Sequence, residues 1–367
     1  MKILFYIHDL SIGGAETLVV NYLKILKDNH NVAVVVNRRV GSFLEDCLGE
    51  ANIPIYSLSK GFRNIYIINK VLYLYSNLQF VYTRRWGSIL STFKPDIIHI
   101  HTALSKFPTK LFNASKLVFT FHSELDRFLS LVSKETVDKL HYLASRGMHF
   151  IAINKMMAKK CETIFNSKNV SYIPNGVDFT ERITTDRSNF LNRHNIPEYS
   201  YILGHVGRFH RVKNQQFIVD IFNEIHKIRK DSYLFFVGSG DKTVISEVRQ
   251  RVIEYDLEDN VIFWGVQNDP LEFINVFDCL LLPSLSESFS LVLIEAQSLG
   301  VKCVTSTAVP VEVLCNDNCS AVSLSAPINE WVDTILSGSV RTSPSNKLRQ
   351  FEIGTVVNKM VELYSSL

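Results

Sequence analysis

Two glutamates, Glu287 and Glu295, are separated by seven residues in the run Glu287-Ser288-Phe289-Ser290-Leu291-Val292-Leu293-Ile294-Glu295. The first follows an apolar strand-like stretch, Cys279–Leu282, and a serine-rich turn, Pro283-Ser284-Leu285-Ser286. The second falls inside a helical pattern. A loop feeding a helix start exposes backbone N–H groups, which suits a phosphate. A carboxylate further along the helix can accept two hydrogen bonds from vicinal hydroxyls, such as a ribose diol. Glutamates at this spacing also occur by chance in helices with an acidic start, so the chemistry depends on their neighbours.

A second set lies in Val206-Gly207-Arg208-Phe209-His210-Arg211-Val212-Lys213-Asn214. Arg208 offers a planar fork and Lys213 a point charge, and the pair can clamp a diphosphate. Arg211 reads as a solvated charge of the same loop. Gly13-Gly14-Ala15-Glu16 follows the first apolar run. It is not a G-x-G-x-x-G fingerprint, so no dinucleotide is implied. Two glycines let backbone approach a ligand, and the helix that follows favours an anion. His122 closes the segment Phe119-Thr120-Phe121-His122-Ser123, while His99 and His101 close an earlier one. A lone histidine at a strand end is more often structural than catalytic.

The elements that must carry these residues are legible as βαβ units. Lys2–Ile7, Asn31–Asn37, Ile97–His101 and Leu117–Phe121 read as buried strands, each separated from the next by helix-length segments. Tyr201–Val206, Tyr233–Val237, Val261–Trp264, Cys279–Leu282 and Lys302–Ser306 form a second series, with helices over Gln215–Arg229 and Phe289–Leu299. The pattern gives parallel sheets in an α/β fold. A chain of 367 residues exceeds what one core usually supports, so two domains are expected. The expected division is 1–180 for the first and 181–354 for the second, with a polar linker from Thr180 to about Tyr199. Residues in the strand–helix loops should then line a cleft between two facing sheets.

With its flanking residues, the Glu287–Glu295 run resembles the E-x7-E motif of family 4 of the retaining glycosyltransferases. The shared pattern is Ser-Glu-Ser-Phe-x-Leu-x-Leu-x-Glu-Ala, followed by a glycine and an apolar strand. Arg208 and Lys213 resemble that family's G-R-x4-K motif. Asn214 departs from it, standing where many members have glycine. The resemblance implies the GT-B architecture of two Rossmann-like domains, with a final helix over about 355–367 packing back on the first. It implies that Glu295 holds the ribose and that Glu287 lies near the donor sugar. It also implies that Gly13, Gly14 and Glu16 lie over the donor phosphate and acceptor, that His122 contacts the donor sugar, and that His101 lines the acceptor side. Ser288, Phe289, Ser290 and Leu291 would present the phosphate cradle. Gly240, in Gly238-Ser239-Gly240-Asp241, would lie near the nucleotide. Trp264, Gly265 and Val266 would hold the base, mainly through backbone groups. Asn175-Gly176-Val177-Asp178 matches the hinge turn. The likeness is dense in the second domain and sparse between about Glu45 and Lys94. The middle of the second domain looks most like bacterial exopolysaccharide and capsule enzymes.

What this implies is transfer of a sugar from a nucleoside diphosphate, with UDP the commonest nucleotide, to a glycan or lipid-linked acceptor with retention. No D-x-D triplet occurs in the sequence. Leaving-group stabilisation by Arg208, Lys213 and backbone N–H groups is expected instead, with no metal and no cofactor. A nucleotide-sugar epimerase on the same fold and a non-catalytic binding subunit are the alternatives. Inactive copies usually lose the phosphate clamp or a glutamate, and all four of those residues are present here.

Composition narrows the classes further. Hydrophobic residues make up 46% and charged residues 20%, an ordinary globular balance. The net charge of +3, with no aromatic-basic motif, argues against nucleic acid. The six cysteines are scattered and read as free thiols in a reducing compartment. No apolar run reaches membrane-spanning length. The expected location is cytoplasmic. The stretch Ile65–Tyr82, flanked by Lys60, Arg63, Lys70, Arg84 and Arg85, is either a covering helix or a peripheral contact with the inner membrane face.

Overall fold

A computed structural model describes residues 1–11, 13–59, 79–102, 104, 107–179, 186–267 and 269–367. These fall into two compact units, Met1–Gly176 with Ile353–Leu367, and Val177–Glu352.

The first unit carries a seven-stranded sheet in the order β3-β2-β1-β4-β5-β6-β7. Its strands are β1 (Lys2–Ile7), β2 (Asn31–Val36), β3 (Ile55–Ser57), β4 (Ile97–Ile100), β5 (Leu117–Phe121), β6 (His149–Ala152) and β7 (Val170–Tyr172), paired in parallel throughout. The helices are α1 (Gly14–Leu26), α2 (Phe43–Glu50), α3 (Gln79–Phe93), α4 (Leu125–Leu131), α5 (Lys134–Ala144) and α6 (Lys155–Phe165). Residues of β1 and β2 are buried on both faces, which is why their sequences are apolar runs rather than alternations. Ser42, Ser133 and Asn154 cap α2, α5 and α6 by accepting backbone N–H bonds. The terminal helix α13 (Ile353–Ser366) inserts Val356, Val357, Met360 and Tyr364 into this core beside Tyr22 and Leu23. The stretch Ile65–Tyr82 falls mostly outside the described residues. Among those described, no helix is long and apolar enough to cross a membrane.

The second unit holds a six-stranded parallel sheet in the order β10-β9-β8-β11-β12-β13. Its strands are β8 (Tyr201–Val206), β9 (Ser232–Val237), β10 (Val261–Gly265), β11 (Cys279–Leu282), β12 (Lys302–Ser306) and β13 (Cys319–Val322). Its helices are α7 (Arg187–Arg193), α8 (Gln215–Ile228), α9 (Lys242–Glu254), α10 (Pro270–Val276), α11 (Leu291–Ser298) and α12 (Ile328–Leu336). Leu203, Leu234, Leu281 and Val304 from four strands meet Ile218, Phe222, Val248 and Trp331 from the helices in one core.

Two sequence expectations change. The polar stretch after Thr180 was expected to be linker as far as Tyr199, yet Arg187–Arg193 is helical. Asp186 caps it, Phe190 and Leu191 are buried, and Arg187 donates to Ser200 O at 2.8 Å and pairs with Asp278 at 2.9 Å. Two apolar anchors were concealed among polar letters. The helix expected from Phe289 starts at Leu291, which leaves residues 287–290 as loop.

In both sheets the strand order reverses beside the first strand, between β1 and β4 and between β8 and β11. Ligands of open α/β sheets bind beyond the carboxyl ends at such switch points.

Candidate functional site

In the second unit, β8 and β11 are neighbours, so the loops leaving their carboxyl ends emerge side by side. The β8 loop carries Arg208 and ends in a short 3-10 turn, Arg211–Lys213. The β11 loop carries Ser284 and Glu287. Three bonds lace them together. Leu285 N donates to Val212 O at 2.8 Å, Asn214 Nδ2 donates to Pro283 O at 3.2 Å, and Lys213 Nζ pairs with Glu287 Oε1 at 2.6 Å. Ser284 Oγ donates to the same carboxylate oxygen at 2.8 Å, and Ser306 Oγ in turn holds the Ser284 carbonyl. The Glu287 side chain is 7% exposed and Lys213 is 25% exposed. This is a partly buried ion pair whose carboxylate has its other oxygen unpartnered among the described residues.

Beyond Glu287 the chain enters α11. Ser290 is the N-cap residue, a place where a serine hydroxyl ordinarily accepts a backbone N–H bond. It makes no capping bond. Its Oγ is buried with no hydrogen-bond partner. A buried hydroxyl left unpaired is costly, and a ligand polar group would satisfy it. Ser288 and Leu291 flank it half-buried, and Glu295 lies half-buried further along α11. The ring of Phe289 packs on Phe351 at 5.5 Å, so its contribution to a ligand is through backbone.

Arg208 is exposed and makes no ion pair among the described residues. Gly240 bridges to Phe209. A Cβ at Gly240 would run into the Phe209 backbone and the Arg208 side chain, so glycine is what lets these loops close up. Gly265 ends β10 at φ 68°, a left-handed conformation suited to glycine. The Trp264 ring lies among Phe190, His194, Phe235 and Phe273, at centroid distances of 4.6–5.9 Å. The ring is packed and its Nε1 is buried with no hydrogen-bond partner among the described residues, so the backbone contacts expected here are left to residues 264–266, of which Val266 is exposed.

In the first unit, Gly13 precedes α1 in extended backbone, and the Glu16 carboxylate lies against its Cα, where a Cβ would collide with it. His101 follows β4 and His122 follows β5. His101 Nδ1 lies 2.8 Å from His122 Nε2, while His101 Nε2 is buried without a partner. Burial pushes the His122 imidazole down to about 4. Burial, then the neighbouring His99 and His122, hold His101 well below the ordinary imidazole range. Both are neutral at physiological pH. His99 is core, bonded through Nδ1 to Tyr364 OH and through Nε2 to Thr120 Oγ1, each at 2.6 Å.

Comparison with known proteins fits this arrangement. The family model described as Glycosyltransferase Family 4 matches residues 12–181, and that described as Glycosyl transferases group 1 matches residues 200–337. The chain belongs to the family 4 glycosyltransferases. This glycosyltransferase is 31% identical over 147 residues to the putative glycosyltransferase EpsF of Bacillus subtilis, a match covering 40% of the chain and 38% of EpsF. It is 23% identical to the capsular polysaccharide biosynthesis glycosyltransferase CapH of Staphylococcus aureus, over 100% of the chain and 99% of CapH. Its fold is similar to that of Anabaena HepE, crystallised with UDP-glucose, at a TM-score of 0.75 and 20% identity over 100% of both chains. The two parallel-sheet units are those of the GT-B fold.

Sequence reasoning about this glycosyltransferase did not single out Ser284, which stood in the serine-rich turn before Glu287 and whose hydroxyl bonds that carboxylate.

Proposed function

We propose that the protein is a retaining, metal-independent glycosyltransferase that moves a sugar from a nucleoside diphosphate, UDP foremost, to a glycan or lipid-linked acceptor in surface polysaccharide biosynthesis. The observation that carries this reading is the Lys213–Glu287 pair, with the unpartnered Ser290 hydroxyl a few residues on and Arg208 on the neighbouring loop. These are the parts of an anion site. In the proposed reaction Arg208, Lys213 and the first N–H groups of α11 stabilise the departing diphosphate. The bond from the anomeric carbon to the phosphate oxygen breaks with oxocarbenium character. The acceptor hydroxyl attacks the same face and gives its proton to the leaving phosphate oxygen, so no enzyme nucleophile is needed. Glu287 accepts from Lys213 and Ser284, which suits a positioning carboxylate better than a nucleophile. His122 and His101, being neutral, can bond sugar hydroxyls without adding charge. The similarity to CapH supports the polysaccharide setting, and the UDP-glucose complex of HepE supports the choice of nucleotide. Peripheral contact of the first unit with the inner membrane face, in the cytoplasm, belongs to the same proposal.

The test is product formation from UDP-, GDP- and ADP-sugars with EDTA present, reading anomeric configuration by NMR. Turnover with retention supports the reading. Strict dependence on added divalent metal, or inversion, overturns the corresponding part.

A further inference from the structure

Arg208 and Lys213 sit at opposite ends of one loop, and a loop carrying two like charges needs something to set them. The two residues directly after Lys213 do this. Asn214 has φ 57° and ψ 41°, the left-handed conformation, at the N-cap position of α8. An asparagine there would ordinarily fold back onto the helix N–H groups. It makes no capping bond, and its amide donates instead to Pro283 O in the loop of Glu287. Gln215 is 1% exposed. Its Nε2 donates to Arg208 O at 3.0 Å and lies 3.4 Å from His205 Nε2, while its Oε1 accepts from His210 N at 3.5 Å. His205 is wholly buried in β8, with Nδ1 2.9 Å from Leu281 O. A carbonyl only accepts, so Nδ1 carries the proton and Nε2 is a lone pair facing the Gln215 amide. Burial pushes His205 down, the Leu281 bond opposes this, and the charge of Lys213 adds to the lowering, to about 4. The imidazole is therefore uncharged at neutral pH, and the Leu281 bond sets its tautomer.

We infer that Asn214 and Gln215 are positioning residues of the diphosphate clamp: Gln215, seated on His205, fixes the Arg208 end of the loop, and Asn214 ties the Lys213 end to the loop of Glu287. This rests on the reading that Arg208 and Lys213 hold the donor diphosphate. Cations set in place beforehand lose less freedom when the anion arrives. The departure from glycine at residue 214 thereby gains a reason. Glycine would supply the same backbone conformation but not the tie.

Asn214→Gly tests this cleanly, because it keeps the left-handed backbone and cuts one side-chain bond. Gln215→Met removes the second fastening at similar volume, and Arg208→Ala is the control. Each is titrated with UDP, GDP and ADP and with the corresponding monophosphates. For whichever nucleotide the unmodified protein binds, Asn214→Gly is expected to weaken the diphosphate about five- to tenfold, with the monophosphate changed less than about twofold. Equal weakening of both would mean general loosening and would overturn the inference. So would unchanged diphosphate binding in Asn214→Gly and Gln215→Met while Arg208→Ala loses it. If Arg208→Ala binds the diphosphate normally, the clamp reading itself fails and takes this inference with it.

Discussion

Lys213 Nζ lies 2.6 Å from Glu287 Oε1, across 74 residues of sequence, and joins the loops that leave two adjacent strands at the reversal of strand order. The fold explains the meeting. β8 and β11 are consecutive in the sheet though distant in the chain, because β9 and β10 were laid down on the other side. In the proposed function the pair keeps a cation ready where a diphosphate would sit, with a carboxylate to hold it until then.

Lys213→Met should therefore damage two properties at once. Glu287 would keep a mostly buried carboxylate with Ser284 as its remaining partner. Thermal or denaturant unfolding should show a loss of roughly 2–3 kcal/mol, below the full cost of breaking a buried pair because Lys213 is partly solvated. Turnover should fall by about a hundredfold or more through lost leaving-group stabilisation. Stability and turnover both close to the unmodified protein would contradict the assignment.

Ser290→Ala separates stability from function. Removing a buried hydroxyl that has no partner should leave the free protein as stable as before, or more stable by up to about 1 kcal/mol. Nucleotide affinity should drop several-fold. A destabilised variant with intact affinity would show that Ser290 serves the fold.

Much of this was legible in the sequence. The strand runs were visible because a sheet covered on both faces needs consecutive apolar residues, as in Val32–Val36. Arg208, Lys213 and Glu287 were visible because they follow such runs, and Glu295, inside a helix, because its neighbours complete the resemblance to the E-x7-E motif. Pairing across the chain was not. Nothing in the string says that Lys213 meets Glu287, or that Gln215 reaches Arg208 O and His205 together, because both facts depend on strand order. The partner of the Trp264 ring was hidden for a related reason: Phe190, in a stretch that read as linker, folds over to pack against it.

Glu287→Gln addresses mechanism. The amide oxygen of this variant can still accept from Lys213, so the loops should stay joined, and any residual product should keep the stereochemistry of the unmodified enzyme. No glycosyl-enzyme should accumulate by intact-mass analysis. A trapped adduct on Glu287 in the unmodified protein, absent from the variant, would establish double displacement instead.

The buried histidines set the acid limit of stability. His122 and His205 are held at about 4, against an ordinary value of 6.5. The unfolded chain binds more protons between those values, so stability present above about 6.5 is lost as pH falls towards 4. Melting temperature measured from pH 7 down to 4.5 should decline steadily. His205→Asn, which cannot titrate, should flatten part of that decline, and an unchanged slope would remove His205 from the explanation.

In the proposed function the second unit holds a nucleoside diphosphate with Glu295 on the ribose. Titration calorimetry with UDP, GDP and ADP, on the unmodified protein and on Glu295→Ala, decides whether it does. Micromolar binding of one nucleotide, weakened at least about tenfold in the variant, is the expected result. No binding of any of the three to well-folded protein, or binding unaffected by Glu295→Ala, would contradict it.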